Sequence, residues 1–252
     1  MKAKSAWAGL GLLILLLVVL ELGVQWASWD ARFFPAPSRV LSHLSDLADQ
    51  ALFREHLRAS LSRWGMGLGL AVGISLALIV LASLWGWARG FLNACAGLLY
   101  PLPKSAIFPM FLLLFGIDGA AHVALIALGA LSLILATVLA GFHRLEAAGY
   151  LPLARNLRLS RWHTLRFVSL PGLVPDFVQG LKLGSSYALV LMVVTEMMMT
   201  RQGLGVMLWA AWDNFRIVEL YSILYLICFL GVGIFVLMET LGEWAMEFQR
   251  AV

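Results

Sequence analysis

Residues 123–142 read VALIALGALSLILATVLAGF, twenty residues without a charge. As a helix rising 1.5 Å per residue, this segment covers about 30 Å, the thickness of a bilayer's hydrocarbon core. Working outward, segments of the same character recur at residues 7–25, 64–84, 91–115, 177–198 and 220–241. Each is read as a transmembrane helix, the one conformation in which an isolated segment satisfies all its backbone polar groups inside lipid. The chain of 252 residues is 62% hydrophobic and only 13% charged, with mean hydropathy +0.89. These values exclude a soluble globule built on one core. The predicted fold class is all-α integral membrane with six transmembrane helices.

After residue 142 the composition reverses. The stretch Arg155-Asn156-Leu157-Arg158-Leu159-Ser160-Arg161-Trp162-His163-Thr164-Leu165-Arg166 joins the fourth and fifth apolar segments. Counting Arg144, it spends far more arginine than a connector between neighbouring helices requires. Such a loop is expected to face the cytoplasm and to touch something soluble. Lys2 and Lys4 start the chain on the same side, so an even number of crossings makes both termini cytoplasmic and puts residues 201–219 outside. Residues 28–63 then lie outside with Arg32, Arg39, Arg54, Arg58 and Arg63, roughly balanced by Asp30, Asp46, Asp49 and Glu55. That balance is a mild conflict with the rule, which counts basic residues. A net charge of +4 and a pI near 9.3 suit an inner-membrane protein and make no case for nucleic acid.

The first segment also resembles a cleavable signal ending near Ala27-Ser28, but its apolar run exceeds the length of a signal core. Cys95 and Cys228 fall inside predicted spans and suggest small packing residues, not a disulfide framework. Phe34-Pro35-Ala36-Pro37-Ser38 breaks the chain, and Ser38 opens an amphipathic stretch with Val40, Leu41, Leu44, Leu47 and Ala48 at helical spacing, read as an interfacial helix. In the second span Gly65, Gly69 and Gly73 recur every four residues, leaving one face nearly bare for close approach of another helix, in the subunit core or at a dimer interface.

Chemistry motifs are scarce. There is no phosphate loop, no HExxH and no paired Cys/His spacing, so the chain is expected to hold no metal or cofactor and not to hydrolyse ATP. The intramembrane ionisable residues are the candidates for a solute path. Lys104 falls near mid-bilayer, where facing lipid costs about 2.5–3.5 kcal/mol, so it is expected to face the bundle interior or water. There it either attracts an anionic solute or meets a structural partner, such as Glu196 or a carbonyl freed beside Pro101 and Pro103. Glu196, near the outer end of the fifth span, is either a gate or a helix–helix hydrogen bond. A stand-alone channel or carrier needs no soluble partner. An intramembrane enzyme needs a nucleophile and base together, which no Ser-His or paired Asp pattern supplies.

The motifs Ser160-Arg161-Trp162, Leu170-Pro171, Pro175, Gly180-Leu181-Lys182-Leu183-Gly184, Glu196-Met197 and Gly203-Leu204-Gly205 resemble, in order and spacing, the permease subunits of type I ABC importers. The sulfonate, taurine and nitrate branch looks most similar. Phe34 to Val40, Ser60-Leu61-Ser62-Arg63, Pro101-Leu102-Pro103, Pro109 and Phe115-Gly116-Ile117 agree with that branch, and the likeness runs from about residue 33 to the end. It implies one permease domain, residues 1–252, in a bacterial inner membrane. Residues 1–27 would be a first transmembrane helix, 28–63 a periplasmic segment, and 64–252 a five-helix core containing a cytoplasmic coupling loop at 143–172. It implies a homodimer or heterodimer in the lipid, cytoplasmic ABC ATPase subunits that bind ATP and Mg, and a periplasmic or lipid-anchored solute-binding protein.

In that resemblance Leu153, Arg155, Leu157, Arg158, Arg161 and Trp162 are the ATPase-coupling residues. The loop departs from the family there. Counted back from Leu170-Pro171, the signature Glu-Ala-Ala falls on Pro152, Leu153 and Ala154, and the signature glycine on Arg158. The literal Glu146-Ala147-Ala148 lies six residues too early: either the loop has gained six residues or, the preferred reading, the match is chance and the signature has decayed. Docking is therefore expected to use a different surface, with an unusual ATPase or with a second permease that keeps the signature.

Overall fold

The computed structural model describes residues 15, 17–26, 30, 32–117 and 119–251. These are helical nearly throughout, with no strand among them. Residues 17–25 form α1. There follow α2 (Pro37–Ala48), α3 (Ala51–Leu84), α4 (Gly86–Leu99), a 3-10 turn (Lys104–Ile107), α5 (Phe108–Phe115), α6 (Ala120–Ala147), α7 (Tyr150–Asn156), α8 (Arg161–Thr164), a π-helical turn (Leu165–Ser169), α9 (Leu170–Met199), α10 (Leu204–Asp213) and α11 (Ile217–Ala251). Among the described residues α3, α6, the run through α8 and α9, and α11 are long and apolar enough to cross a membrane. Residues 7–14 and 16 of the predicted first span, and the lysines that fixed its orientation, lie outside the described residues.

The uncharged run that opened the sequence reading becomes the centre of the bundle. Leu125, Ile126, Ala130, Ile134, Val138 and Phe142 of α6 are all buried, and α9 and α3 flank them. The approach of α6 and α9 depends on small residues. A Cβ on Gly180 would lie 2.9 Å from the Cα of Ile134, and one on Gly184 would lie 3.1 Å from the carbonyl oxygen of Ala130. The predicted packing stripe stands elsewhere: Gly65, Gly69 and Gly73 have nothing within 4 Å of where a Cβ would sit. The glycine of α3 that meets α6 is Gly67, whose Cβ would come within 2.8 Å of Ile126 Cβ. At about 100° per residue, position 67 faces the opposite side of the helix from position 65.

The third predicted span requires correction. It is two helices, α4 and α5, inclined at 88° across a short break, and passes as a span only if the bent pair is taken together. Pro101 and Pro103 remove two backbone donors, although Tyr100, just before the first of them, keeps helical dihedrals (φ −62°, ψ −51°). The carbonyls left over at the end of α4 are met by Lys104, whose Nζ donates to Leu99 O at 2.9 Å and to Tyr100 O at 3.1 Å. Lys104 is only 4% exposed, and its ammonium stands 5.8 Å from the centre of the Tyr187 ring.

Other boundaries also move. The predicted division at residue 63/64 falls inside α3, which runs unbroken for 34 residues from Ala51. The helix of the fifth span also starts earlier than residue 177: α9 runs from Leu170, with Pro171 in its first turn, and continues from α8 through the π-helical turn as one run, Arg161–Met199. Ser38 does not cap α2 with its side chain; its Oγ and N–H both donate to Glu21 of α1, at 2.8 and 3.0 Å. The buried stripe of α2, Pro37, Val40 and Leu47, lies against α11, where Ser222 Oγ donates to Val40 O at 3.1 Å.

Candidate functional site

The arginine-rich connection is two short helices and a tight turn. Gly149, with φ +82°, ends α6 and starts α7. At the far end of α7 the N–H of Leu159 donates to Ala154 O and the N–H of Arg158 to Arg155 O, both at 3.0 Å. These are the two bonds of a Schellman cap, whose left-handed position usually carries glycine. Arg158 occupies it, with φ +53°. The position to which the resemblance assigns a glycine thus has the backbone that glycine favours, although arginine occupies it. Ser160 Oγ then accepts from the N–H of His163 at 3.3 Å and opens α8.

Leu151, Ala154 and Leu165 turn inward, while Leu153, Leu157 and Trp162 are 55%, 64% and 61% exposed. Leu153 and Leu157 are four residues apart and so share a face of the helical turn; Arg155, Arg158 and Arg161 are exposed around them. The six predicted coupling residues are therefore all exposed, on α7, the turn after it and the start of α8. Glu146, dismissed above, is joined to this stretch. Its carboxylate is paired with Arg155 of α7 and lies 3.7 Å from Arg89 of α4, so α7 is tied to the ends of two spans. Its signal in the sequence was charge opposition across Gly149. For Arg158→Gly, relief of a left-handed non-glycine residue outweighs glycine's greater freedom when unfolded, so we expect a stability gain of about 0.5–1 kcal/mol. The thermal midpoint of the purified protein checks this; a fall would mean that the side chain, not the backbone, holds the turn.

The 30 residues of α9 carry the chain about 45 Å to the opposite end of the bundle. Glu196 sits in its last turn with a side chain wholly shielded from solvent. Arg63 Nη1 of α3 donates to Glu196 Oε1 at 2.7 Å, Ser60 Oγ lies 2.9 and 2.7 Å from the two carboxylate oxygens, and the N–H of Gly205 donates to Oε2 at 3.1 Å. The same residues tie down the chain that follows α9. Arg63 donates to Gln202 O at 2.6 Å and to Thr200 Oγ1 at 3.1 Å. Leu204 N–H donates to Ser60 Oγ at 2.8 Å, and Gly203 N–H to His56 Nδ1 at 2.9 Å. Sequence reasoning found Glu196 but not His56, Ser60 or Arg63 as its neighbours.

Above this group lies a cavity of about 930 Å³, whose lining includes Arg63, Glu196, Thr200, Arg201, Trp209 and Asp213. Lys104 is not in that lining, and its two acceptors are the carbonyls freed at the proline break. Of the partners weighed for Lys104, the carbonyls are the ones it meets. Among the described residues, no group of three or more His, Cys, Asp and Glu side chains is arranged to hold a metal ion.

Residues 69–247 match the family model described as binding-protein-dependent transport system inner membrane component. The taurine transport system permease protein TauC of Escherichia coli (strain K12) is 29% identical over 226 residues, 86% of this chain and 82% of that protein. The putative aliphatic sulfonates transport permease protein SsuC of Bacillus subtilis (strain 168) is 29% identical over 180 residues, 71% of this chain and 64% of the relative. The riboflavin transport system permease protein RibX of Chloroflexus aurantiacus is 26% identical over 208 residues, 81% and 77% of the two chains.

Proposed function

Because the chain belongs to the family of binding-protein-dependent transport system inner membrane components, we propose that it forms part of a solute path opened by a separate ABC ATPase docked on its arginine-rich surface. At the coarser level it is a multi-pass permease subunit of such an importer, a transport subunit and not an enzyme. In the finer reading, the surface carrying Leu153, Leu157 and Trp162 faces the cytoplasm and enters a groove of the ATPase, which binds ATP and Mg. The opposite end, with its cavity, receives solute from a binding protein. The observation that carries this reading is the exposure of three large apolar side chains in a short stretch that also exposes three arginines. Apolar anchors ringed by polar groups are how protein interfaces concentrate their binding energy.

The solute proposed is a small anion of the sulfonate, taurine or nitrate kind, or an aromatic acid. Two of the relatives are named for taurine and aliphatic sulfonates. Lys104 and Glu196 remain the proposed residues of the path. Lys104→Met leaves the carbonyls of Leu99 and Tyr100 without their charged donor and is expected to cost about 2 kcal/mol of stability. If the variant folds and takes up solute at the parental rate, its role is confined to the break. The open face of Gly65, Gly69 and Gly73 is proposed as the contact with a second permease, a copy of this chain or a relative.

Co-purification from mild detergent tests the central claim. The parent is expected to bring an ATPase with it, and the triple variant Arg155→Ala, Arg158→Ala, Arg161→Ala to lose it while staying monodisperse. A parent that brings no ATPase while folded returns the chain to the carrier reading.

A further inference from the structure

The cavity of about 930 Å³ beside the end of α9 has four charged side chains in its lining, two of each sign. Arg63 and Glu196 answer one another, joined at 2.7 Å. Arg201 and Asp213 are left over. Both are exposed, and neither has a hydrogen bond or ion pair among the described residues.

The residues that α10 gives to the lining are Val206, Trp209, Ala210 and Asp213, spaced as one face of a helix. Trp209, half exposed, and Asp213 stand one turn apart on that face. An indole and a carboxylate so placed attract the same partner, a small organic cation, through the ring quadrupole and the negative charge. Much of the remaining wall comes from residues 197–202. There Arg201 offers a planar fork of donors that suits the oxygens of a carboxylate or sulfonate.

The two parts of the wall are fixed to one another. Gly205 brings α10 so close to α9 that a Cβ there would lie 2.7 Å from Glu196 Cβ and 3.0 Å from the N of Met197. Arg63 fastens the intervening segment through Gln202 O at 2.6 Å. The backbone carrying Arg201 and the helix carrying Asp213 are thus held together without their charges meeting. An anion entering the cavity finds Arg201 but is repelled by Asp213, and a cation finds the reverse. A molecule with both charges satisfies both residues.

We propose that this cavity is a solute-binding site of the chain itself, for a small zwitterion whose ammonium lies against Trp209 and Asp213 and whose acid group lies at Arg201. The proposal rests on the transport reading above and narrows its solute from small anions to molecules that carry a positive charge as well. The site fills from the solvent side of the cavity and needs no opening in the apolar core beneath it.

The test measures saturable binding of three probes of similar size to the full-length chain, purified in mild detergent with any ATPase it retains and without a binding protein. The probes are 2-aminoethanesulfonate, ethanesulfonate and ethylammonium. The zwitterion is expected to bind about tenfold more tightly than either probe with a single charge. Asp213→Asn is expected to bring the zwitterion down to the level of ethanesulfonate, and Arg201→Gln to weaken both sulfonates by about tenfold. Both side chains are exposed, so the variants should stay folded and monodisperse. A single-charge probe that binds the parent as tightly as the zwitterion, unchanged binding in either variant, or no saturable binding at all overturns the proposal. If the parent retains an ATPase but binds no zwitterion, the transport reading stands without this site. A folded parent that retains no ATPase overturns the transport reading instead, and with it the claim that the bound zwitterion is cargo.

Discussion

Uptake is expected to fall by about 100-fold or more when Leu153, Leu157 and Trp162 are replaced together by serine, with the fold of the chain unaffected. Each of the three is more than half exposed, so none leaves a cavity, and exposed substitutions of this kind stay within about 0.5 kcal/mol. Seated in a partner's groove, the same side chains are worth about 2 kcal/mol each. Even with half of that sum lost to non-additivity, the partner's occupancy falls by about two orders of magnitude. Retention of the ATPase on an affinity-purified triple variant, scored beside solute uptake, decides the matter. If the ATPase stays bound, docking uses another surface.

The second large effect concerns the bundle itself. Gly180→Val is expected to cost about 3 kcal/mol or more, because the new side chain would meet the Thr137 hydroxyl and also backbone that no side-chain rotation can move. The Cα and carbonyl oxygen of Ile134 would lie 2.9 and 3.2 Å from the new Cβ, so α6 and α9 must move apart. Against a total stability of about 5–15 kcal/mol, that is roughly a fifth to three-fifths of the margin. Gly69→Val is the control: nothing lies within 4 Å of its Cβ site, and the midpoint of thermal unfolding should stay close to that of the parent. If Gly69→Val instead breaks a dimer while each chain keeps its fold, a second permease rests on that face.

Comparing these two glycines also marks where the sequence stops being readable. Long uncharged runs declare that a segment crosses a membrane, and residues 123–142 could be taken directly to the centre of the fold. A four-residue glycine period declares a bare face, but not whether anything in the same chain stands opposite. For α3 the neighbour faces Gly67. The break at Pro101 and Pro103 was visible as two prolines, yet the length of residues 91–115 suited a single span and masked the bend. Lys104 was rightly placed away from lipid, and its acceptors lay among the alternatives because they are local. The partners of Glu196 were out of reach: Arg63 lies 133 residues earlier, in a segment assigned outside the span, and no local pattern links the two. Likewise, nothing in Leu157-Arg158-Leu159 announces a left-handed residue, since the cap is made by carbonyls of the preceding turn.

That difference in reach has a consequence for how the protein is made. Synthesis delivers the chain from its N-terminus, one helix after another. Lys104 finds its acceptors four and five residues back, so the kinked pair α4 and α5 can be complete as soon as it leaves the ribosome. Arg63 enters the membrane region with α3 and must wait through the production of α4 to α8 before Glu196 arrives on α9. Until then a guanidinium at that depth needs water, lipid headgroups or an insertion factor as a stand-in. A ribosome stalled before residue 196 would therefore hold α3 at the bilayer's edge, and the last third of the chain would decide when the first third is finally seated.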